Sequence, residues 1–350
     1  LKRQWYGLER NDMTATLLAC LVAVFAEPAS DSTAAGRIDR HALVTRHNIE
    51  WNEQAGQIPL GNGEFCFNAD ATGLQTFCGN TMSHWAWHSF PLPDGWTTDR
   101  IPATGTFQQG RNTGPDEFPR DADAIRAWMF DNPHLMNLAR LQLCDKDGTP
   151  LVQKDLSKLS RNLDLWTGIQ TSTYEVQGHA VHVETCVHPA LDAVAVRIES
   201  PLLAQGDLQI SLQFPYPALG NKAWVGDFTR SDGHGTEMAA HGPNRADFAR
   251  TVDGNSYCAS LAWSAGGSLQ PGNSPHRFLL SVMPGQGSLG FICVFAPGTV
   301  PENLPLLDAS FEDTARHWKE FWSTGGAIDL SGSKDPRWSE LERRVVLSQY

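Results

Sequence analysis

The sequence predicts a mainly β protein: a large antiparallel β-supersandwich, then a connecting helix, an extended linker and the opening of a second helix. Three observations predict it. Between residues 41 and 305, about a dozen apolar, alternating runs are separated by turn signals, with hardly any helical periodicity. No unit recurs at a fixed period, which argues against a propeller or solenoid. Helical stripes begin only after residue 306, so the pattern changes from all-β to helical at one place.

Residues 1–30 read as a possible read-through and signal peptide. Thr14 to Ala26 is apolar, long enough for a signal-peptide core and too short to span a bilayer. Lys2, Arg3 and Arg10 supply a positive flank if the chain begins before Met13, the first methionine. Leu17-Leu18-Ala19-Cys20 resembles a lipoprotein cleavage box, although the apolar run continues past Cys20. Export to the periplasm or the extracellular space is the favoured reading, with a buried helix or a mis-assigned start as alternatives. Residues 31–40 are a polar linker.

The β pattern starts near His41. Glu64–Ala69 reads as a strand, Asp70–Gly73 as a turn and Leu74–Cys78 as a second strand. Residues 79–125 are rich in Gly, Pro, Trp and Asp without periodicity, and a loop of that length in a compact domain is functional or a mobile cover. Strands resume at 138–143. Thr171–Val176 and Ala180–Val187 flank Gln177-Gly178, a hairpin signal. Ala193–Ile198, Asp207–Phe214, Tyr257–Trp263, Arg277–Val282 and Leu289–Phe295 continue the series, interrupted by an irregular stretch over Gly226–Gly254.

The connecting helix and linker occupy residues 306–334. Ser310 and Asp313 have capping-box spacing, Phe311, Ala315, Trp318 and Trp322 form one stripe, and Gly325-Gly326 stops it. In residues 335–350, Asp335 suits an N-cap and Pro336 the first helical position, and Trp338, Leu341 and Val345 form a stripe with no cap after it. That stripe needs a partner surface, so the expectation is that a longer protein continues past Tyr350.

Composition narrows the functional classes. With 41% hydrophobic and 19% charged residues among 350, the chain is globular. The formal charge of −12 and the lack of a Lys/Arg cluster argue against a nucleic-acid surface. The 12 Trp residues suit either a Trp-rich core or aromatic platforms for sugars. None of the seven cysteines has a CxxC or Cys/His metal spacing, and most lie in apolar runs. Buried free thiols are expected, with a Cys66–Cys78 disulfide possible if the chain is exported. No GxSxG, P-loop or dinucleotide fingerprint is present. His179 and His182 would fall on opposite or edge-shifted faces of one strand, unsuited to a joint metal site. Asp232-Gly233-His234-Gly235 reads as a solvated polar turn.

Two stretches carry a family resemblance. Trp51, followed by Pro59-Leu60-Gly61-Asn62-Gly63 before the first clear strand, resembles the opening of the N-terminal β domain of glycoside hydrolase family 95. Gly73-Leu74-Gln75-Thr76-Phe77 is closer to proteins of the family 65 type. The second stretch, Trp318-Lys319-Glu320-Phe321-Trp322 with the linker to Asp335-Pro336-Arg337, resembles the joint between that β domain and an (α/α)6 barrel. The resemblance implies that residues 41–305 are the N-terminal β domain of a six-hairpin glycosidase and that residues 335–350 begin its barrel. It implies an oligo- or polysaccharide substrate and a general acid in the barrel. The partner of that acid is a second carboxylate, about 6.5–9.5 Å away for inversion, or inorganic phosphate. No residue of this chain is therefore assigned to catalysis, and no cofactor or metal is expected.

One segment stands out as a binding candidate. His84-Trp85-Ala86-Trp87-His88-Ser89-Phe90-Pro91 places aromatics and imidazoles in a non-periodic loop beside strands. Trp85 and Trp87 suit stacking on sugar faces, and His84 and His88 suit hydrogen bonding to hydroxyls. The competing reading is a domain interface or core, where aromatics also concentrate. A stand-alone carbohydrate-binding or structural sandwich is the alternative for the chain as a whole.

Overall fold

The computed structural model describes residues 38–101, 107–108, 111–112, 123–218 and 224–350. The expected signal segment and Cys20 lie outside the described residues. Residues Asp39–Tyr350 form one compact unit.

The main layer is a nine-stranded antiparallel sheet. Its spatial order is Ile49–Trp51, Leu156–Asp164, Ile169–Val176, His179–Val187, Ala193–Glu199, Ser288–Ala296, Asn255–Trp263, Arg245–Val252 and His234–Ala240. A four-stranded sheet, ordered Gly267–Pro271, Arg277–Val282, Leu208–Gln213 and Arg140–Asp145, forms a second layer. A three-stranded sheet contains Ile58–Gly61, Phe65–Ala69 and Thr81–Ser83. Ring contacts join the layers: Phe248 of the large sheet lies 4.8 Å from Phe278 of the second, and Phe65 stacks on Phe295 at 5.9 Å. The molecule is mainly β, as the alternation predicts.

Burial follows each strand's place in the layers. Ile169–Val176 alternates strictly between half-buried and buried residues, as expected for one face on the core. Ala193–Glu199 and Ser288–Ala296 are buried almost continuously. Their far face is covered by the helix Leu307–Thr324, whose Phe311 packs with Cys186, Ala193, Ala195, Ile292 and Val294 in a second core. Gln177 and Gly178 turn the hairpin with φ of 53° and 80°, the left-handed pair of a type I′ turn.

The connecting helix is held from both sides. Trp318 and Trp322 are buried, and the Trp322 indole donates to the Leu165 carbonyl at 2.6 Å. A short first helix, Arg40–Thr45, precedes the strands where the sequence shows only a linker and the start of the β pattern. Asp39 caps it by accepting from the Ala42 amide, and Arg40 donates to the Trp322 and Gly325 carbonyls, closing the end of the connecting helix. The last helix, Trp338–Gln349, docks through Glu342, Val346 and Tyr350, with Tyr350 stacked on Trp318 at 4.5 Å. The fully buried Glu342 carboxylate accepts from Arg46, His47 and the Leu330 amide.

Several expectations are corrected. Leu74–Cys78 is not a strand. It wraps the buried Asp70 carboxylate, which accepts from the Thr72 amide and hydroxyl and the Phe77 and Cys78 amides. The same segment covers the edge of Arg140–Asp145, with Gln75 donating to the Leu141 carbonyl and Leu143 to the Thr76 hydroxyl. Gly226–Gly254 is not irregular. It contains the paired strands His234–Ala240 and Arg245–Val252 at one edge of the large sheet. Arg250 and Asp247 disguise the alternation there, because a buried Arg250 occupies a core-facing position.

Ser310 is no cap. The connecting helix starts at Leu307, and the Ser310 hydroxyl donates back to the Leu306 carbonyl. The stripe of Trp338, Leu341 and Val345 is not the docking face. Leu341 is 56% exposed, and the buried face lies about one residue round the helix at Glu342 and Val346. Cys66 and Cys78 are free thiols, as are Cys144, Cys186, Cys258 and Cys293.

Candidate functional site

The four residues singled out in the aromatic loop are not brought together. His84 is exposed and 3.8 Å from Glu64. Trp85 is half-buried; its indole donates to Asp192 Oδ2 at 2.5 Å, and its ring lies 6.2 Å from Tyr257. Trp87 is 53% exposed. Only His88 is buried in a polar cluster.

That cluster is built from distant parts of the chain. Asp253-Gly254 is the two-residue turn between Arg245–Val252 and Asn255–Trp263, with φ of 47° and 86°. The turn places the Asp253 carboxylate at the end of the sheet. Asp253 Oδ2 accepts from the Tyr216 hydroxyl at 2.5 Å and from His88 Nε2 at 3.0 Å. A carboxylate only accepts, so His88 carries its proton on Nε2 and leaves Nδ1 as a lone pair. His88 Nδ1 is buried without a partner among the described residues. His134 is fixed likewise: Nδ1 donates to the Asp131 carbonyl at 2.9 Å, and Nε2 is buried without a partner among the described residues. The two imidazoles are 5.2 Å apart. Burial holds both below the ordinary histidine range, although the Asp253 bond pulls His88 upward. Burial, then the Asp253 bond, pushes the Tyr216 phenol up to about 12. At neutral pH the phenol is therefore a proton donor and the imidazoles are neutral.

A second knot of side chains adjoins it. His234, expected in a solvated turn, opens an edge strand and is half-buried. Its Nδ1 accepts from Arg250 at 2.7 Å, its Nε2 donates to the Arg230 carbonyl at 2.9 Å, and its ring lies 3.7 Å from His276. Burial, with the Arg250 charge, lowers His234 to about 4.

A cleft of about 390 Å³ opens against this cluster, lined by Phe90, Trp128, Asn132, Tyr216, Arg230 and Asp253 among others. The Arg230 guanidinium lies 3.9 Å from the Tyr216 ring centre. Aromatic faces with a cation and hydrogen-bonding groups suit a polar, ring-shaped ligand. Sequence reasoning found His88 and Phe90 because they fall within one short aromatic run. It missed His134, which pairs with His88 across two short strands, and Tyr216, Arg230 and Asp253, which come from far along the chain. The Asp253-Gly254 turn dipeptide was the one local signal for them. Pro59-Leu60-Gly61 belongs to the strand Ile58–Gly61, Asn62-Gly63 turns it toward Phe65–Ala69, and none of them lines the cleft. Asn62 accepts from the Glu64 and Phe65 amides and donates to the His188 and Leu191 carbonyls. Among the described residues, no group of three or more His, Cys, Asp or Glu is placed to hold a metal ion.

The fold and cleft define a layered β-sandwich with a helix laid across its main sheet. No family model and no curated protein matches the sequence. Solved structures similar in fold include a putative kojibiose phosphorylase from human microbiome, with 11% identity over 86% of this chain and a TM-score of 0.44. A bacterial glucoamylase in complex with acarbose matches 60% of this chain at 8% identity, TM-score 0.39. A family GH92 inverting mannosidase from Bacteroides thetaiotaomicron matches 60% at 8% identity, TM-score 0.26. The chain spans 37%, 35% and 25% of these three proteins' lengths.

Proposed function

We propose that this chain is the N-terminal β domain of an exported carbohydrate-active enzyme that hydrolyses glycosidic bonds. In this reading its paired carboxylates lie on an (α/α)6 barrel after Tyr350, and that barrel is the partner of the last two helices. The observation that carries the proposal is the joint. The segment Trp318-Lys319-Glu320-Phe321-Trp322, one of the two stretches that resemble such enzymes, buries both indoles against the rest of the domain. The chain then passes through an extended linker to a second helix clamped by Glu342. A rigid sandwich-to-helix joint of this kind orients a following helical domain. Phosphorolysis by the same architecture is the second reading, since only the attacking group differs.

The cleft at Phe90, Tyr216 and Asp253 supports an oligo- or polysaccharide ligand, held by ring stacking and hydroxyl hydrogen bonds. The chain of residues 1–350 is expected to show no turnover of aryl glycosides or disaccharides, because protonation of the leaving group and activation of the attacker are both supplied by the barrel. Extending the expressed gene product past Tyr350 should restore turnover, dependent on phosphate only if the reaction is phosphorolysis. Turnover by residues 1–350 that is abolished by one internal Asp or Glu substitution would overturn this assignment.

A further inference from the structure

Arg140 stands apart from the other buried or half-buried arginines. Arg277 is engaged by Ser211, Asn273 and the Gly148 carbonyl, Arg250 by four oxygens and His234, and Arg161 by three carbonyls. Among the described residues Arg140 has one hydrogen bond, a 3.5 Å contact to the Phe77 carbonyl, and its Nε, like that of Arg161, is buried without a partner. A guanidinium carries five N–H donors, so one contact leaves most of this fork without a protein partner among the described residues. Among the described residues no carboxylate pairs with it. The nearby Asp70 is already engaged by Thr72, Phe77 and Cys78. Phe228 lies 5.0 Å from the guanidinium carbon and covers one face.

The guanidinium lines a cleft of about 530 Å³, together with Gln57, Asn68, Phe77, Asn80 and Trp224. The Trp224 indole is 61% exposed, and its wall is fixed: Asn80 donates to the Trp224 carbonyl at 3.1 Å and Asn137 to the Val225 carbonyl at 2.8 Å. An unpaired, partly buried cation costs stability unless something compensates it, and Arg meets carboxylates and phosphates with two parallel bonds. Beside it, an indole face and three amide side chains suit the C–H face and hydroxyls of a pyranose.

We propose that the Arg140 cleft binds a sugar carrying an anionic group, a carboxylate or a phosphate, with the anion on Arg140 and the ring on Trp224. The anion rests on Arg140 alone; the sugar ring rests on the carbohydrate reading above. Calorimetric titration of the full chain with glucuronate, glucose 6-phosphate, glucose, acetate and inorganic phosphate tests it, with circular dichroism of each variant to verify folding. At least one sugar anion should bind about tenfold or more tightly than glucose, acetate and inorganic phosphate. Preference for glucuronate identifies the carboxylate, and preference for glucose 6-phosphate the phosphate; either supports the proposal. Arg140→Met should weaken that binding about tenfold or more, Arg140→Lys less, and Trp224→Ala roughly fivefold. If Arg140→Met does not fold, Arg140→Lys decides, since it keeps the charge and loses the two parallel bonds. Glucose binding as tightly as both sugar anions, acetate or phosphate binding as tightly as they do, or unchanged affinity in Trp224→Ala overturns it. The turnover assay above is independent, so failure of this site and failure of the enzyme reading are separable.

Discussion

Asp70 shows how one side chain can replace a strand. Its carboxylate gathers four donors from residues 72–78, and burial pushes its carboxyl up in spite of them. Asp70→Ala would leave several buried donors unmet and should destabilise the fold by about 3 kcal/mol or more, read from urea unfolding midpoints. A loss below about 0.5 kcal/mol would show that water replaces the carboxylate. The neighbouring aromatic loop separates into two roles. Trp85→Ala breaks the indole bond to Asp192 and should lower Tm by several degrees. Trp87→Ala, at an exposed position, should leave Tm nearly unchanged. If the longer protein acts on glycosides as proposed and Trp87 stacks on sugar outside the reacting ring, Trp87→Ala should raise its KM roughly 5–30-fold. Unchanged KM in folded Trp87→Ala protein removes that contact. The four loop residues were legible as a chemically unusual run. Their separation was not, because alternate burial in a short strand and the positions of Asp192 and Asp253 depend on residues more than a hundred positions away.

Among the elements, the connecting helix tests the packing argument most directly. Gly168 sits in the turn before Ile169–Val176 with φ of +68°, and a Cβ there would lie 2.1 Å from Cδ1 of Trp318. Gly168→Ala combines backbone strain with displacement of the indole, so a loss of roughly 2 kcal/mol or more is expected. Denaturant unfolding followed by tryptophan fluorescence measures it, and an unchanged midpoint would mean that the helix does not press on the sheet at this point. The stripe containing Trp318 and Trp322 was readable because both indoles share one helical face. The final helix was harder. Its apolar stripe at Trp338, Leu341 and Val345 competes with a docking face that includes a charged residue, and nothing local announces that Glu342 is buried by Arg46 and His47. The Leu156–Asp164 strand escaped notice for a different reason. A register shift between Ser157 and Ser160, with Lys158 at φ of 53°, breaks its alternation.

Across the whole molecule, histidine burial sets an acid limit on stability. His88, His134, His188, His234 and His276 are all held below the ordinary histidine range by burial, His234 to about 4. The unfolded chain then binds more protons than the folded one below about pH 6.5. Stability is fully present above that pH and is lost as pH falls toward about 4 through His234. Urea unfolding at pH 7.5, 6.0 and 5.0 should show decreasing stability, with a shallower slope in His234→Asn, whose amide oxygen can still accept from Arg250 in place of Nδ1 and does not titrate. Stability that stays flat over this range would count against neutral, buried histidines.

The sequence by itself determined the fold class, about half of the strands, the Gln177-Gly178 hairpin and the passage from sheet to helix. These depend on local periodicity and turn chemistry, which are written within a few residues. The tertiary structure decided which residues meet. It brought His88 to Asp253 and Tyr216, left Arg140 with no carboxylate pairing it among the described residues, and buried Glu342 against Arg46 and His47. Pairing across long stretches of chain has no local signature. A buried polar residue looks like a surface residue until the partners that satisfy it are in place.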